Sequence, residues 1–331
     1  MNHKIIAGRL AGTAITILML VVSLLFVSLG AGAAKQIKIG ISQIAEHPAL
    51  DAARKGFVDG LAEAGYVEGK NLVIDFKNAQ GDLSLAQTIA QKFVSDKVDL
   101  ILAIATPSAQ AAANVTNKIP ILITAVTDPL KAGLVKDLAH PGTNVTGTSD
   151  LNPVSEQFEL LLKIVPRAKR IGIIYNAGEV NSVVQVELAE ADAKKRGLTI
   201  IKATASNTSG VYEAAQSLVG RVDAIYVPTD NTVVTALESV IKVAERNKIP
   251  VIAGEENSVD RGCIATVGID YYRLGKQTAA MAVEVLKGKN PAEMPIQYQK
   301  EMRLVINVSA AKAMGVNLPE ALVKSADKVI K

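Results

Sequence analysis

VDLILAIATPSAQAAANVTNKIP, from Val98 to Pro120, decides the fold. Leu100 to Ala105 is a short apolar run of the kind a strand buried on both faces requires. Thr106-Pro107 then offers a capping hydroxyl and a proline at the first helical position, and Pro107 to Thr116 reads as the helix that follows. A second apolar run opens at Ile119. Strand, helix and strand in quick succession specify a βαβ unit and a parallel sheet.

The alternation extends in both directions. Ile37 to Ser42 reads as a strand, and Pro48 to Ala64 keeps Leu50, Ala53, Phe57, Leu61 and Ala64 at helical spacing. Further strands are predicted near Leu72 to Phe76, Ile119 to Thr124 and Val145 to Thr148, with a helix over Ser84 to Ser95. A second series opens with a helix near Pro153 to Ile164. It continues through strands at Arg170 to Tyr175, Thr199 to Ala203, Ala224 to Val227, Pro250 to Ala253 and Ile264 to Val267.

Letters repeat along with the pattern. Val98-Asp99 recurs as Val222-Asp223, Asn117-Lys118-Ile119-Pro120 as Asn247-Lys248-Ile249-Pro250, and Gly40-Ile41 as Gly172-Ile173, all at nearly one offset. So long a period marks a duplicated domain rather than a solenoid, whose repeats run roughly 20 to 50 residues. The expected fold class is α/β, two Rossmann-like lobes with parallel sheets. Residues 35–150 plus 271–294 would form the first lobe, and 151–270 plus 295–331 the second lobe and hinge return. The helix Tyr272 to Lys287 would cross back to the first lobe, with Ile296 to Gln299 and Arg303 to Val308 tying the lobes together.

Residues 1–33 read as a cleavable signal peptide. His3, Lys4 and Arg9 give a basic start, Ala14 to Val27 is apolar apart from Thr16 and Ser23, and Ala31-x-Ala33 is a signal-peptidase pattern. The alternative is an uncleaved anchor, since Leu10 to Leu29 approaches the roughly 20 residues that span a bilayer. A lipid anchor would need a cysteine at the cleavage point, and Cys263 is the only cysteine. The expectation is therefore a periplasmic protein, not a lipoprotein, stabilised by its core and not by disulfides. Lys4 and Arg9 are two of 36 basic side chains set against 32 acidic ones, so the exported chain is near charge balance and implies no nucleic-acid partner.

Parallel α/β sheets bind ligands at the carboxyl ends of their strands. In the first lobe those ends carry Gln43, Thr106, Ser108, Thr127, Asp128, Ser149 and Asp150, and in the second Tyr175, Asn176, Asp230, Asn231, the pair Glu255-Glu256 and Asp270. Hydroxyls and helix amides at Thr106 and Ser108 suit a carboxylate. Asp128, Asp150 or Asp230 suits an ammonium. Asp128-Pro129 repeats the capping pattern of Thr106-Pro107 and reads as a second helix start. There is no Trp, so Tyr175 and Tyr271 are the candidates for contacting an apolar or aromatic ligand side chain. His47, in the loop after the first strand, reads as a residue at a helix start that could touch the ligand. Catalysis is not expected: beyond the signal only His47 and His140 remain, and no nucleophile elbow, Walker loop, dinucleotide fingerprint or metal-binding pattern is present. No cofactor and no metal are called for.

The strings ISQIAEHPALD, GLAEAGY, IATPSAQ, TAVTDP, NVTGTSD and VPTDN, in order from about Lys35 to the chain end, resemble the substrate-binding proteins of ABC importers related to the tryptophan/tyrosine-binding group. That resemblance implies a type I periplasmic-binding-protein fold with a three-segment hinge, a monomer that delivers an aromatic amino acid to an ABC permease in the membrane. It places Gln43, Thr106, Ser108, Thr127, Asp128, Ser149, Asp150, Asn176, Asp230, Asn231 and Asp270 in the cleft. A sugar, a nucleoside or an aliphatic amino acid is the alternative cargo, and a ligand sensor or an α/β enzyme the alternative role.

Overall fold

A computed structural model describes residues 36–331, so the signal peptide expected over 1–33 lies outside the described residues. The first sheet is built from β1 (Ile37–Gln43), α1 (Pro48–Glu63), β2 (Leu72–Asn78), α2 (Leu83–Ser95), β3 (Leu100–Ile104), α3 (Thr106–Val115), β4 (Ile121–Val126) and β5 (Val145–Ser149). The second follows with α4 (Val154–Ile164), β6 (Arg170–Tyr175), α5 (Val180–Lys195), β7 (Thr199–Thr204), α6 (Val211–Gln216), β8 (Ala224–Val227), α7 (Asn231–Thr235), α8 (Leu237–Asn247), β9 (Val251–Ala253), α9 (Glu256–Asp260) and β10 (Ala265–Gly268). The chain then runs through α10 (Tyr271–Leu286), β11 (Gln297–Tyr298), β12 (Arg303–Asn307), α11 (Val308–Ala313), α12 (Glu320–Lys324) and β13 (Lys328–Ile330).

The strand orders are β11-β5-β4-β3-β1-β2 and β13-β12-β10-β9-β8-β6-β7. Within each sheet the five repeated strands follow one order, so the duplication seen in the letters is a duplication of topology. Strands β3, β4 and β5 are buried along their whole length; β3 and β4 are the apolar runs that burial with helices on both faces calls for, whereas β5 is built of small and hydroxylic residues. All pairings are parallel except β10 with β12. The molecule is therefore two α/β lobes with parallel sheets, each with its own apolar core.

Three crossings join the lobes, after β5, after β10 and after β11. One detail differs from the expected division. Gln297 and Tyr298 pair with Thr148 and Ser149 of β5, so the last crossing follows Tyr298 and not residue 294. A two-residue strand carries no periodicity of its own, and its place is set by the open edge of β5.

After the second crossing, α10 packs on α1 in the first core. The two helices touch backbone to backbone: a Cβ on Gly275 would lie 2.0 Å from the carbonyl oxygen of Ala53, and one on Gly56 2.0 Å from that of Tyr272. This contact fixes the start of α1, and with it His47, beside the crossing at Asp150. Among the described residues no helix is long and apolar enough to cross a membrane.

Candidate functional site

The carboxyl ends of the two sheets face each other and enclose two spaces. An open cleft of about 820 Å³ lies toward the outer edge strands, between Ile44, Gln80 and Pro107 of the first lobe and Asn176, Glu179, Thr204 and Asn207 of the second. Its volume is in the range of small-molecule sites, roughly 300–1,000 Å³. Deeper, His47, Asp150 and Tyr271 meet Asn181, Asp230 and Glu255 around an inner chamber of about 10 Å³, the room of one water molecule. Asn231 lines both.

On the first-lobe side, Ala105, just after β3, and Ala125, the last residue but one of β4, have φ angles of 74° and 55°, in the region that favours glycine. Such residues cost of order 1–3 kcal/mol each and persist where the surroundings hold them. Ala105 also takes the cap position of α3, so Thr106 is the first helical residue and not the cap that the sequence suggested. Its hydroxyl is consequently free of the backbone. The Oγ atoms of Thr106 and Ser108 are buried with no hydrogen-bond partner among the described residues, beside the N-terminus of a ten-residue helix. Thr127 and Tyr271 donate to the two oxygens of Asp150, at 2.9 and 2.6 Å, and the Ser149 hydroxyl donates to the Thr127 carbonyl at 2.8 Å. Burial raises the pKa of Asp150 above its ordinary value.

His47 is 7% exposed, and neither ring nitrogen makes a well-formed hydrogen bond, although the Asn231 side chain lies close enough to act on it. Burial lowers its pKa to about 4, which keeps the imidazole neutral with one donor and one acceptor to offer. The Asn152 amide is likewise buried without a well-formed hydrogen bond, near enough to act on the Tyr271 hydroxyl.

On the second-lobe side, Asp230 caps α7 by accepting from Val233 N at 2.7 Å, and it also accepts from Asn176 N at 2.5 Å and Ser182 Oγ at 2.6 Å. Burial and the nearby Glu179 raise its pKa to about 7. Glu179 is a hub: Asn231 donates to it from its backbone and its amide, at 3.1 and 2.5 Å, and Thr232 from its backbone and hydroxyl, at 3.1 and 2.8 Å. Asn181 donates to the Thr229 carbonyl at 3.0 Å, which leaves its Oδ1 unpartnered. Glu255 caps α9 through Asn257 N at 2.6 Å, and burial pushes its pKa up to about 7.

The structure thus gathers Thr106, Ser108, Thr127, Ser149, Asp150, Asn176, Asp230 and Asn231 at the facing strand ends; Asp150, Asn176, Asp230 and Asn231 line the two spaces, while Thr106, Ser108, Thr127 and Ser149 lie behind them and line neither. Four of the sequence candidates are placed otherwise. Gln43 donates to the Ala45 carbonyl and to Asp51, and accepts from Arg54, so its amide is spent inside the first lobe. Asp128 caps a turn through Leu130 N and Lys131 N, both at 3.0 Å, and no helix follows it. Asp270 caps α10 and lies 3.5 Å from Arg273 and 3.8 Å from Arg303, beside the hinge. Tyr175 is half-buried against the second core and lines neither space. Glu179 lines the outer cleft and Asn181 the inner chamber, and neither was among the candidates read from the sequence. Glu179 follows β6 as His47 follows β1, and that equivalence was the available signal.

A family model described as ABC transporter substrate binding protein matches residues 38–330. A tyrosine-binding protein of Clostridioides difficile is 51% identical over 280 residues, covering 85% of this chain and 81% of the relative. An ABC domain from Streptococcus pneumonia, solved in complex with L-Trp, is 40% identical, with 89% of this chain and 100% of that chain covered and a TM-score of 0.86. The ligand-free, open structure of a substrate-binding protein with adhesive properties from Clostridium difficile is 48% identical, with 89% and 99% covered, yet its TM-score is 0.68.

Proposed function

The chain belongs to the ABC transporter substrate-binding protein family, a family of binding proteins and not of enzymes, and from that premise we propose that it captures an aromatic amino acid outside the cytoplasm and hands it to a membrane permease. The observation that carries this reading is the set of buried polar atoms left without a well-formed hydrogen bond where the lobes meet: Thr106 Oγ1, Ser108 Oγ, both nitrogens of His47 and Asn181 Oδ1. Folded proteins pair nearly all such atoms. Left unpaired, each costs about 1–3 kcal/mol, and a bound ligand supplies the missing partners.

The ligand's carboxylate takes the Thr106 and Ser108 hydroxyls and the first-turn amides of α3. Its ammonium takes Asn181 Oδ1 and the carboxylates of the inner chamber, and its ring extends into the outer cleft. Capture proceeds by lobe closure, because a ligand that touches both lobes binds the closed arrangement better and shifts the population toward it. The comparison of TM-scores supports this: the chain superposes better on the L-Trp complex than on an open, ligand-free structure of higher identity. Lys131 reaches Glu187 of the other lobe at 2.6 Å, although an exposed pair of this kind contributes at most about 1 kcal/mol.

In this reading residues 1–33 are the signal that exports the chain to the periplasm, where it works as a monomer without cofactor or metal. Titration calorimetry with L-tyrosine, L-tryptophan, L-phenylalanine, L-leucine and glucose tests it. Micromolar or tighter binding of an aromatic amino acid is expected, and no heat from any of them at millimolar concentration refutes the assignment.

A further inference from the structure

The inner chamber carries an unbalanced charge. Asp150 comes from the first lobe, Asp230 and Glu255 from the second, each at most 2% exposed, and among the described residues neither Lys nor Arg lines the space they share. Arg261, whose charge reaches both Glu255 and His47, is committed elsewhere. Its Nε and NH2 donate to Glu238 at 2.8 and 2.7 Å, and its NH1 to the Val234 carbonyl at 2.6 Å. The other ionisable groups facing the three acids add no positive charge. Tyr271 donates to Asp150, Glu179 deepens the negative field at Asp230, and burial keeps Cys263 a thiol and His47 a neutral imidazole.

Independent of charge, the chamber is built to receive something, since Asn181 and His47 line it, with Asn181 Oδ1 buried and unpaired and neither His47 nitrogen in a well-formed hydrogen bond. Its volume of about 10 Å³ suits one group the size of a water molecule, and an ammonium is such a group, with three hydrogens to donate. Among the described residues no cluster of three or more His, Cys, Asp or Glu could hold a metal ion.

We propose that a positive charge brought into this chamber by the ligand is the condition for lobe closure, so that the protein takes protonated amines and rejects neutral or purely anionic solutes. Closing the empty lobes brings carboxylates of both sides together in a medium of low dielectric, where like charges repel far more strongly than in water. With the lobes apart, water screens them. The ligand's ammonium turns that repulsion into attraction, and its hydrogens pair with Asn181 Oδ1 and the acceptor nitrogen of His47. This inference rests on the lobe-closure reading above and adds what makes closure conditional.

Small-angle scattering of the exported chain at pH 8 measures the effect as a change in radius of gyration. L-Tyrosine is expected to contract the protein. 3-(4-Hydroxyphenyl)propionate, which keeps ring and carboxylate and lacks the amine, is expected to leave it extended at the same concentration. The double variant Asp150→Asn, Glu255→Gln is expected to contract without any ligand. Single Glu255→Gln, which retains an acceptor for Asn257 N, replaces it if the double variant does not fold. Contraction by the deaminated acid equal to that by L-tyrosine, or a charge-neutralised variant as extended as the wild type, overturns the proposal. If L-tyrosine itself does not bind, the aromatic assignment falls, and the variant arm still decides the charge argument.

Discussion

Thr106→Val separates ligand recognition from folding. Valine matches threonine in shape and replaces the hydroxyl by a methyl, so the packing at the start of α3 is kept. That hydroxyl is 1% exposed for the residue as a whole and has no partner among the described residues. A hydrogen bond to a charged group contributes about 1.5–3 kcal/mol, and each 1.4 kcal/mol is tenfold in affinity, so the loss of one bond to a carboxylate weakens binding roughly 10- to 150-fold. Stability moves the other way or not at all: removing an unpaired buried hydroxyl relieves up to about 1–3 kcal/mol in closed lobes, and less where open lobes admit water. The assay is titration calorimetry with L-tyrosine beside a thermal melt of the ligand-free protein. A dissociation constant within twofold of wild type would show that Thr106 does not meet the ligand. A melting midpoint lowered by more than about 5 °C would show instead that the hydroxyl has a structural partner, since 1 kcal/mol shifts a chain of this size by a few degrees.

Burial, with Glu179 beside Asp230, pushes Asp230 and Glu255 up to about 7, above ordinary carboxylates, and in the proposed lobe closure part of that burial comes from the opposite lobe. Closed lobes therefore hold protons that hydrated carboxylates have released, so the empty closed form gains stability as pH falls below about 7 and loses it as pH rises through 7. Ligand-free protein should have a smaller radius of gyration at pH 5 than at pH 8, and equal radii would contradict this. Gly275→Ala should lower the melting midpoint, because the new Cβ meets the Ala53 carbonyl oxygen at 2.0 Å and overpacking costs about 1–3 kcal/mol or more; an unchanged midpoint would mean that α1 and α10 separate freely. Cys263 is fully buried and burial raises its thiol pKa, so native protein should resist a thiol reagent that labels it in denaturant; prompt native labelling would place Cys263 at the surface.

Fold and site were not equally legible. Strands buried on both faces write themselves as apolar runs, and for β6 and β8 the expected bounds coincide with the observed ones. The two-residue β11 has no such signature, because its place depends on the edge of β5. At the site, sequence order shows which residues follow a strand but not which way their side chains turn. Gln43 and Thr106 both sit at strand ends, yet the first turns beneath α1 to Asp51 while the second stays buried and unpaired at the start of α3. That difference depends on the backbone at Ala105, whose φ of 74° no residue pattern announces in an alanine. Glu179 and Asn181 escaped notice because they enter the site only through the turn from β6 into α5, where Glu179 gathers Asn231 and Thr232 from the neighbouring strand end.

The shared strand order makes strand ends of the two lobes comparable, and the comparison is chemical as well as topological. The loop after β1 carries His47 where the loop after β6 carries Glu179. Thr106 after β3 stands opposite Asp230 after β8, and Thr127 after β4 opposite Glu255 after β9. At each pair the first lobe offers a neutral group and the second a buried carboxylate. This polarity fits the proposed ligand, whose own two ends differ in charge: in that reading the carboxylate meets the first lobe, with the α3 amides, and the ammonium the second. Asp150 is the exception that completes the pattern, a first-lobe acid held at the crossing by Thr127 and Tyr271, where it closes the cation chamber from the hinge side. A neutral polyol would leave that polarity unused, and that is the physical reason for assigning this copy of the fold to amino acids.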